Sequence, residues 1–296
     1  MHRELPGIER YTALKKKTFR EMITSRNAIG LLLSLSLFLW GFTIHGNLGY
    51  YFNLAGLMIV VGGTIGATLL NFKYSTLAIV YKVLVMSYRT IVRNPEEIVE
   101  ILVDLSVKSK IKGVLALQED EKETSLLFLR QALGYLVDGY NSQQIRDVLN
   151  SEMYFFKARR DNCERVLRTV SNYCPSFGLI GSVVGLIGML AGVGSTEIIL
   201  ATVPIALTST LYGIVFANFF FTPFAGRLRE KTNQELLLKK MIMEGIIAIQ
   251  NEVDPRVLER KLKSFLTPSA RHGKLVSLQK IRERFNIPAE PPSPQQ

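Results

Sequence analysis

Four hydroxyl side chains, Ser182, Thr208, Ser209 and Thr210, lie inside two stretches that offer little else that is polar; between Thr169 and Gly226 the single charge is Glu197. In such surroundings Ser and Thr oxygens are natural ligands for a cation or its water, so the chemistry they support is passage of an ion rather than covalent catalysis. The hydroxyls share their helices with small residues. Gly181, Gly185, Gly188 and Gly192 recur at spacings that stack them on one helical face, and Ala206, Thr210, Gly213 and Ala217 repeat the pattern further on. Backbones approach closely along such seams in lipid. Spacing alone reads equally as plain packing, with each Ser or Thr bonded to its own backbone one turn earlier. Other chemistries find no support. The three histidines (His2, His45, His272) are scattered, Cys163 and Cys174 form no CxxC pair, and no phosphate-binding glycine loop is present, so neither a metal nor a cofactor is expected.

The elements that carry these residues follow from the charge map. No Lys, Arg, Asp or Glu occurs over residues 27–72, 169–196 or 198–226, gaps of 46, 28 and 29 residues. One helical crossing needs roughly 20 apolar residues, so the first gap holds two crossings and the others one each. The expected fold is an all-α membrane protein with four transmembrane helices, near residues 27–44, 52–72, 175–194 and 198–222. Of the 36 basic residues, seven precede the first span, fifteen lie over 73–168 and fourteen follow the fourth, leaving none for the outer turns. That bias places both termini and the middle segment of a multi-pass chain in the cytoplasm. The net charge of +11 then reflects topology and contact with anionic lipid rather than nucleic-acid binding.

The chain therefore divides into a basic N-terminal segment (1–26), spans one and two (27–72), a helical cytoplasmic domain (73–173), spans three and four (174–222), a helical extension of the fourth span (223–266) and a flexible tail (267–296). Asn94-Pro95 reads as a helix start, with Ile98, Ile101, Leu102 and Leu105 as its apolar stripe. Val166 and Leu167 lead through Asn172 and Tyr173 into the third span, and Leu228, Leu237, Met241, Ile242 and Ile249 form the stripe of the extension. Pro175 reads as the start of one span and Pro223 as the end of another, two sites where a hinge would join membrane and cytoplasmic helices. Gly62, Gly66 and Ala67 are expected to form a weaker packing seam in the second span. An ion-driven machine needs a titratable group at membrane depth, and these spans hold no carboxylate. Either no ion moves, or a second protein supplies the acid.

The run Pro175-Ser176-Phe177-Gly178-Leu179-Ile180-Gly181-Ser182, with Gly185, then Thr210-Leu211-Tyr212-Gly213, Ala217-Asn218 and Pro223, resembles the MotA/PomA family of flagellar stator A subunits. Gly62-Gly63-Thr64, Glu244-Gly245-Ile246 and Asp254-Pro255 match as well, and the resemblance extends over about residues 27–266. It implies a non-enzymatic subunit of the bacterial inner membrane, pentameric in the ring, around two MotB/PomB-type partners, each with a single span that carries an ion-accepting Asp. The travelling ion is H+ or Na+, and the ring turns against the rotor protein FliG. By the same resemblance Ser182 and Thr210 occupy pore-facing positions and Pro175 and Pro223 the coupling prolines. The rotor-contact stretch keeps a cation at Lys110 but has Gln118 where relatives carry an acid, with Glu119 and Asp120 next to it. The alternative is an ExbB/TolQ-like energiser of another envelope process, although those proteins have three spans.

Overall fold

The computed structural model describes residues 30, 33, 34, 36–41, 43, 44, 48–89 and 92–266. The expected N-terminal basic segment, most of the first span, the outer turn at His45-Gly46-Asn47 and the tail after residue 266 lie outside these. Of the first span, the described residues between 33 and 41 are helical.

Among the described residues every regular element is helical. A 3-10 turn at Leu48–Tyr51 precedes α1 (Leu54–Asn71), α2 (Tyr74–Arg89), α3 (Pro95–Lys112), a second 3-10 turn (Val114–Leu117) and α4 (Gln118–Glu123). There follow α5 (Leu127–Val137), α6 (Ser142–Ala191), α7 (Thr196–Val215), a π-helical turn (Phe216–Phe221), α8 (Thr222–Gln250) and α9 (Pro255–Lys263). Three helical runs, Leu54–Asn71, Ser142–Ala191 and Thr196–Gln250, are long and apolar enough to cross a membrane.

Two expectations about helix ends are corrected here. Pro175 does not start a helix; it lies inside α6, which is continuous for 50 residues. Pro223 does not end one either, since it stands in the first turn of α8, which continues the run from Thr196 through the π turn. A proline in a helix removes one donor and crowds one carbonyl, and a long helix that meets those two demands locally need not stop.

The chain forms two compact units, Met1–Gly63 with Ser176–Gly213, and Thr64–Pro175 with Ile214–Gln296. Local rules explain the helices of the second. Pro95 at the start of α3 and Glu96 and Glu97 in its first turn suit the N-terminal dipole, Lys110 and Lys112 suit its end, and Gly113 at φ +82° stops it. The α6 start is a reciprocal cap: Asn141 Oδ1 accepts from the Gln144 amide at 2.8 Å, and Gln144 Oε1 accepts from the Asn141 amide at 3.0 Å. Ile98, Leu102, Leu129, Leu133, Ile145, Met241, Ile246 and Leu258 build the core of this unit from α3, α5, α6, α8 and α9. Of the expected stripe residues, Leu228, Met241, Ile242 and Ile249 are buried, whereas Leu237 is exposed.

Glu244 is a carboxylate driven deep into that unit, and it holds two cations from different helices. Arg146 of α6 donates to it at 3.0 Å and Lys261 of α9 at 2.6 Å. Burial alone raises the Glu244 carboxyl, but the bonds from Lys261 and Arg146 outweigh it and the group sits below its usual value. A depressed acid stabilises the fold above its ordinary pKa and loses that contribution as pH falls through the folded value. The thermal stability of the full chain in detergent is therefore expected to fall as pH drops below about 4.5. Glu244→Gln should cost about 1–3 kcal/mol at neutral pH and flatten this acid limb.

Candidate functional site

The first unit is built on close approach between glycine faces and small residues of neighbouring helices. A Cβ at Gly185 would come within 2.6 Å of the Ala206 amide nitrogen, at Gly181 within 2.5 Å of Ser209 Cβ, and at Gly188 within 2.9 Å of Thr202 Cγ2. Gly192 stands in the same way against Ile198, and Gly178 would meet Ser209 O at 3.0 Å and Gly213 Cα at 3.4 Å. The glycine seam of α6 thus lies along the small-residue seam of α7, antiparallel to it, with no room for a side chain between. In the second span the arrangement differs from the expected seam. Gly62 and Gly66 meet nothing within 4 Å, whereas Gly63 is pressed against the Phe177 ring and Gly56 against the hydroxyls of Ser209 and Thr208.

The hydroxyls fall into two groups. Thr208 and Ser209 are buried and donate to the carbonyls one turn earlier, Pro204 O at 2.7 Å and Ile205 O at 2.6 Å. Ser182 and Thr210 are half-buried and face each other across the helix pair in a short hydroxyl-to-hydroxyl contact. Ser182 Oγ also lies 2.6 Å from the Ala206 carbonyl of α7 and 3.2 Å from its own Gly178 carbonyl. The structure therefore joins two of the four sequence-selected hydroxyls into one site and sets the other two in the packing between helices. Glu197 is exposed, in the first turn of α7.

Two features went unnoticed in the sequence. The Tyr212 hydroxyl donates to Tyr51 O at 2.6 Å and accepts from the Asn53 amide at 2.7 Å, while Asn53 Oδ1 accepts from the Gly56 amide at 2.9 Å. A tyrosine in an apolar helix must place its hydroxyl on a partner, and that signal was available. Ala217, expected only as a packing residue, has its carbonyl taken by the Thr222 amide across the π turn and by the Ser171 hydroxyl at 3.3 Å. Nothing in residue spacing announces a π turn.

The charged stretch lies in the second unit. Lys110 pairs with Asp254 at 3.2 Å, both about half exposed, and Asp254 also caps α9 by accepting from the Arg256 amide at 2.9 Å. The Arg256 amide and Lys110 hold the Asp254 carboxyl below its ordinary value. Gln118 and Glu119 open α4 and are exposed, and Lys108 reaches Asp120 at 2.7 Å and Glu119 at 3.6 Å.

Apolar helices long enough to cross a membrane, two of them packed glycine face to small-residue face around hydroxyl groups, define a helical membrane protein. Residues 120–241 match the MotA/TolQ/ExbB proton channel family. Motility protein A of Treponema pallidum is 31% identical over 82% of this chain and 94% of its own length. Chemotaxis protein PomA of Vibrio alginolyticus is 28% identical over 82% of this chain and 95% of its own. The flagellar MotAB stator complex of Bacillus subtilis contains a chain of the same fold, with a TM-score of 0.76 and 26% identity over 82% of this chain and 96% of that one. The chain belongs to the MotA/PomA branch of the MotA/TolQ/ExbB family.

The seam separates glycines that matter from glycines that do not. Gly185→Ala drives a methyl into the Ala206 backbone and should cost about 1–3 kcal/mol. Gly62→Ala, where the space is open, should leave stability within about 0.5 kcal/mol of the parent. Thermal denaturation of the purified full chain compares the two, and equal losses would contradict the packing described.

Proposed function

We propose that this chain is the ring-forming A subunit of an ion-driven stator that powers flagellar rotation. It works with a single-span partner of the MotB type that supplies the Asp missing from its own spans. Four spans place both termini and the helical segments in the cytoplasm of a bacterial inner membrane, and five copies surround the partner. H+ or Na+ passes along Ser182 and Thr210 to the partner's Asp, while Thr208, Ser209 and the glycines Gly181, Gly185, Gly188, Gly192 and Gly213, with Ala217, hold the wall of the path. Each charge crossing 100 mV releases about 2.3 kcal/mol, enough to bias a step of the ring. Pro175 and Pro223, each inside a continuous helix, carry that step from the membrane spans to the cytoplasmic helices. There Lys110, Gln118 and Glu119 meet the rotor protein FliG.

The observation that carries the reading is the Ser182–Thr210 hydroxyl pair, half-buried in spans that hold no carboxylate. Hydroxyls bind a hydrated or dehydrated cation without trapping it, and a site that must release its ion benefits from having its charged group elsewhere. Lys110 and Glu119 support the rotor contact because both remain exposed beside the ion pairs they join.

Replacement of the chromosomal gene by Thr210→Val, and separately by Ser182→Ala, provides the test. Ion uptake by vesicles carrying the chain with its partner should fall about ten-fold or more with the Val variant, the loss of one coordinating oxygen being worth roughly 1.4 kcal/mol. Swimming should slow in parallel. Vesicles carrying the chain alone should pass no ions, and full conduction there would overturn the proposal.

A further inference from the structure

Pro175 and Pro223 lie on different helices, yet one side chain touches the consequences of both. Pro175 offers no amide hydrogen to the carbonyl four residues earlier, and that carbonyl belongs to Ser171. Ser171 is buried in α6. Its hydroxyl lies 3.3 Å from the Ala217 carbonyl and 2.8 Å from Thr222 Oγ1. With the Ser171 proton directed at Ala217, the Thr222 hydroxyl supplies the proton between the two oxygens.

Ala217 and Thr222 are the two ends of the π turn. The Thr222 amide bonds to the Ala217 carbonyl five residues back, where an α-helix would bring the amide of Phe221 to it. Proline follows at once. In an uninterrupted α-helix the ring of Pro223 would press on the Phe219 carbonyl. The widened turn immediately before it relieves that crowding, and Ser171 spans the turn from outside by holding both of its ends. Collapse of a π turn to α register rephases everything beyond it by about 100° and 1.5 Å. The register of this turn therefore sets the rotational phase of α8, which runs from Thr222 to Gln250.

We infer that Ser171 and Thr222 are positioning residues for force transmission: they clamp the π turn before Pro223 and tie its register to the proline-relaxed segment of α6 that ends in Pro175. The clamp rests on the stator reading for its role, but not for its existence. A change in the bonding of α6 around Pro175 moves Ser171, releases Ala217 and Thr222, and lets α8 change phase. Neither residue contacts the travelling ion.

The test uses strains in which Ser171→Ala, Ser171→Thr, Thr222→Val or the Ser171→Ala/Thr222→Val double variant replaces the chromosomal copy. Amide hydrogen exchange over residues 216–222 is followed on the full chain purified with its partner, and torque and ion flux are measured in cells. Ser171→Ala should accelerate exchange at Phe221 and Thr222 about ten-fold, with the Thr variant restoring protection. The double variant should be no worse than either single one, since both remove the same interaction. Torque per ion should fall in Ser171→Ala while ion flux persists, a split that general destabilisation does not produce, and the Thr variant should recover it. Unchanged exchange in Ser171→Ala overturns the clamp. Faster exchange with unchanged torque per ion overturns its role in transmission. A parent chain that drives no rotation overturns the stator reading instead, and the exchange data still judge the clamp.

Discussion

A peptide group left without a partner in hydrocarbon costs several kcal/mol, and the long helices of this chain meet that constraint at Pro175, Pro204 and Pro223. Each proline withdraws one donor from the helix ladder. Around each of them stand hydroxyl side chains that bond to backbone carbonyls: Thr208 to Pro204, Ser209 to Ile205, and Ser171 to Ala217. The polar residues of these segments are distributed where the backbone is most easily disturbed. Near the prolines their polarity takes mainly the form of Ser and Thr, whose burial costs far less than that of a charged side chain.

The two units satisfy their polar groups by different physics. In Thr64–Pro175 with Ile214–Gln296, charge is abundant and paired between elements. Arg160 meets Glu235 at 3.2 Å, and Glu244 joins Arg146 and Lys261. Lys239 lies 4.2 Å above the Phe128 ring and 4.6 Å from that of Phe156, with Glu152 at 3.4 Å. Burial pulls the Lys239 ammonium below its usual value even so. Lys231 is buried and donates to the Ser87 carbonyl in the last turn of α2, one of the carbonyls that a helix end leaves without a donor. In the first unit, by contrast, the glycines lie against small side chains, a Phe ring and, at Gly178 and Gly185, backbone, and dispersion across these close approaches replaces the ion pair.

Much of this was legible in the residues. Charge-free gaps located the apolar helices, and the four-three-four spacing of Gly181, Gly185, Gly188 and Gly192 located the α6 face that α7 covers. The apolar stripe of α8 was legible through its period. What escaped reading shares one cause: it depends on which neighbour arrives. Gly62 and Gly66 have the seam's composition, but Gly63 is the glycine the Phe177 ring reaches, and no periodicity within α1 identifies that ring. Pro175 and Pro223 looked like helix ends because proline is a reliable terminator when nothing compensates for it. Here the helix runs on through a π turn held by the hydroxyl of Ser171, a residue 46 positions from Ala217, and local sequence rules have no access to that distance. The N-terminal basic segment and the tail were read from composition alone and lie outside the described residues.

On the proposed function, the Ser182–Thr210 pair is a packing group that would also serve a passing ion. Ser182 has a single proton and three acceptors around it, the carbonyls of Gly178 and Ala206 and the Thr210 oxygen. It can satisfy only one at a time, so its hydroxyl has several nearly equivalent orientations. If the proton points to Ala206, Thr210 donates to Ser182 and both oxygens keep a lone pair to spare. A cation or a protonated water arriving there finds acceptors already gathered, and the backbone keeps its own bonds while the hydroxyls turn. A carboxylate in the same place would bind more tightly, but it would also fix one protonation state and one orientation, and the ion would be slower to leave. The division of labour follows from that physics: the wall supplies oxygens that reorient without changing charge, and the group that does change charge belongs on the element that must bind the ion and let it go once per step.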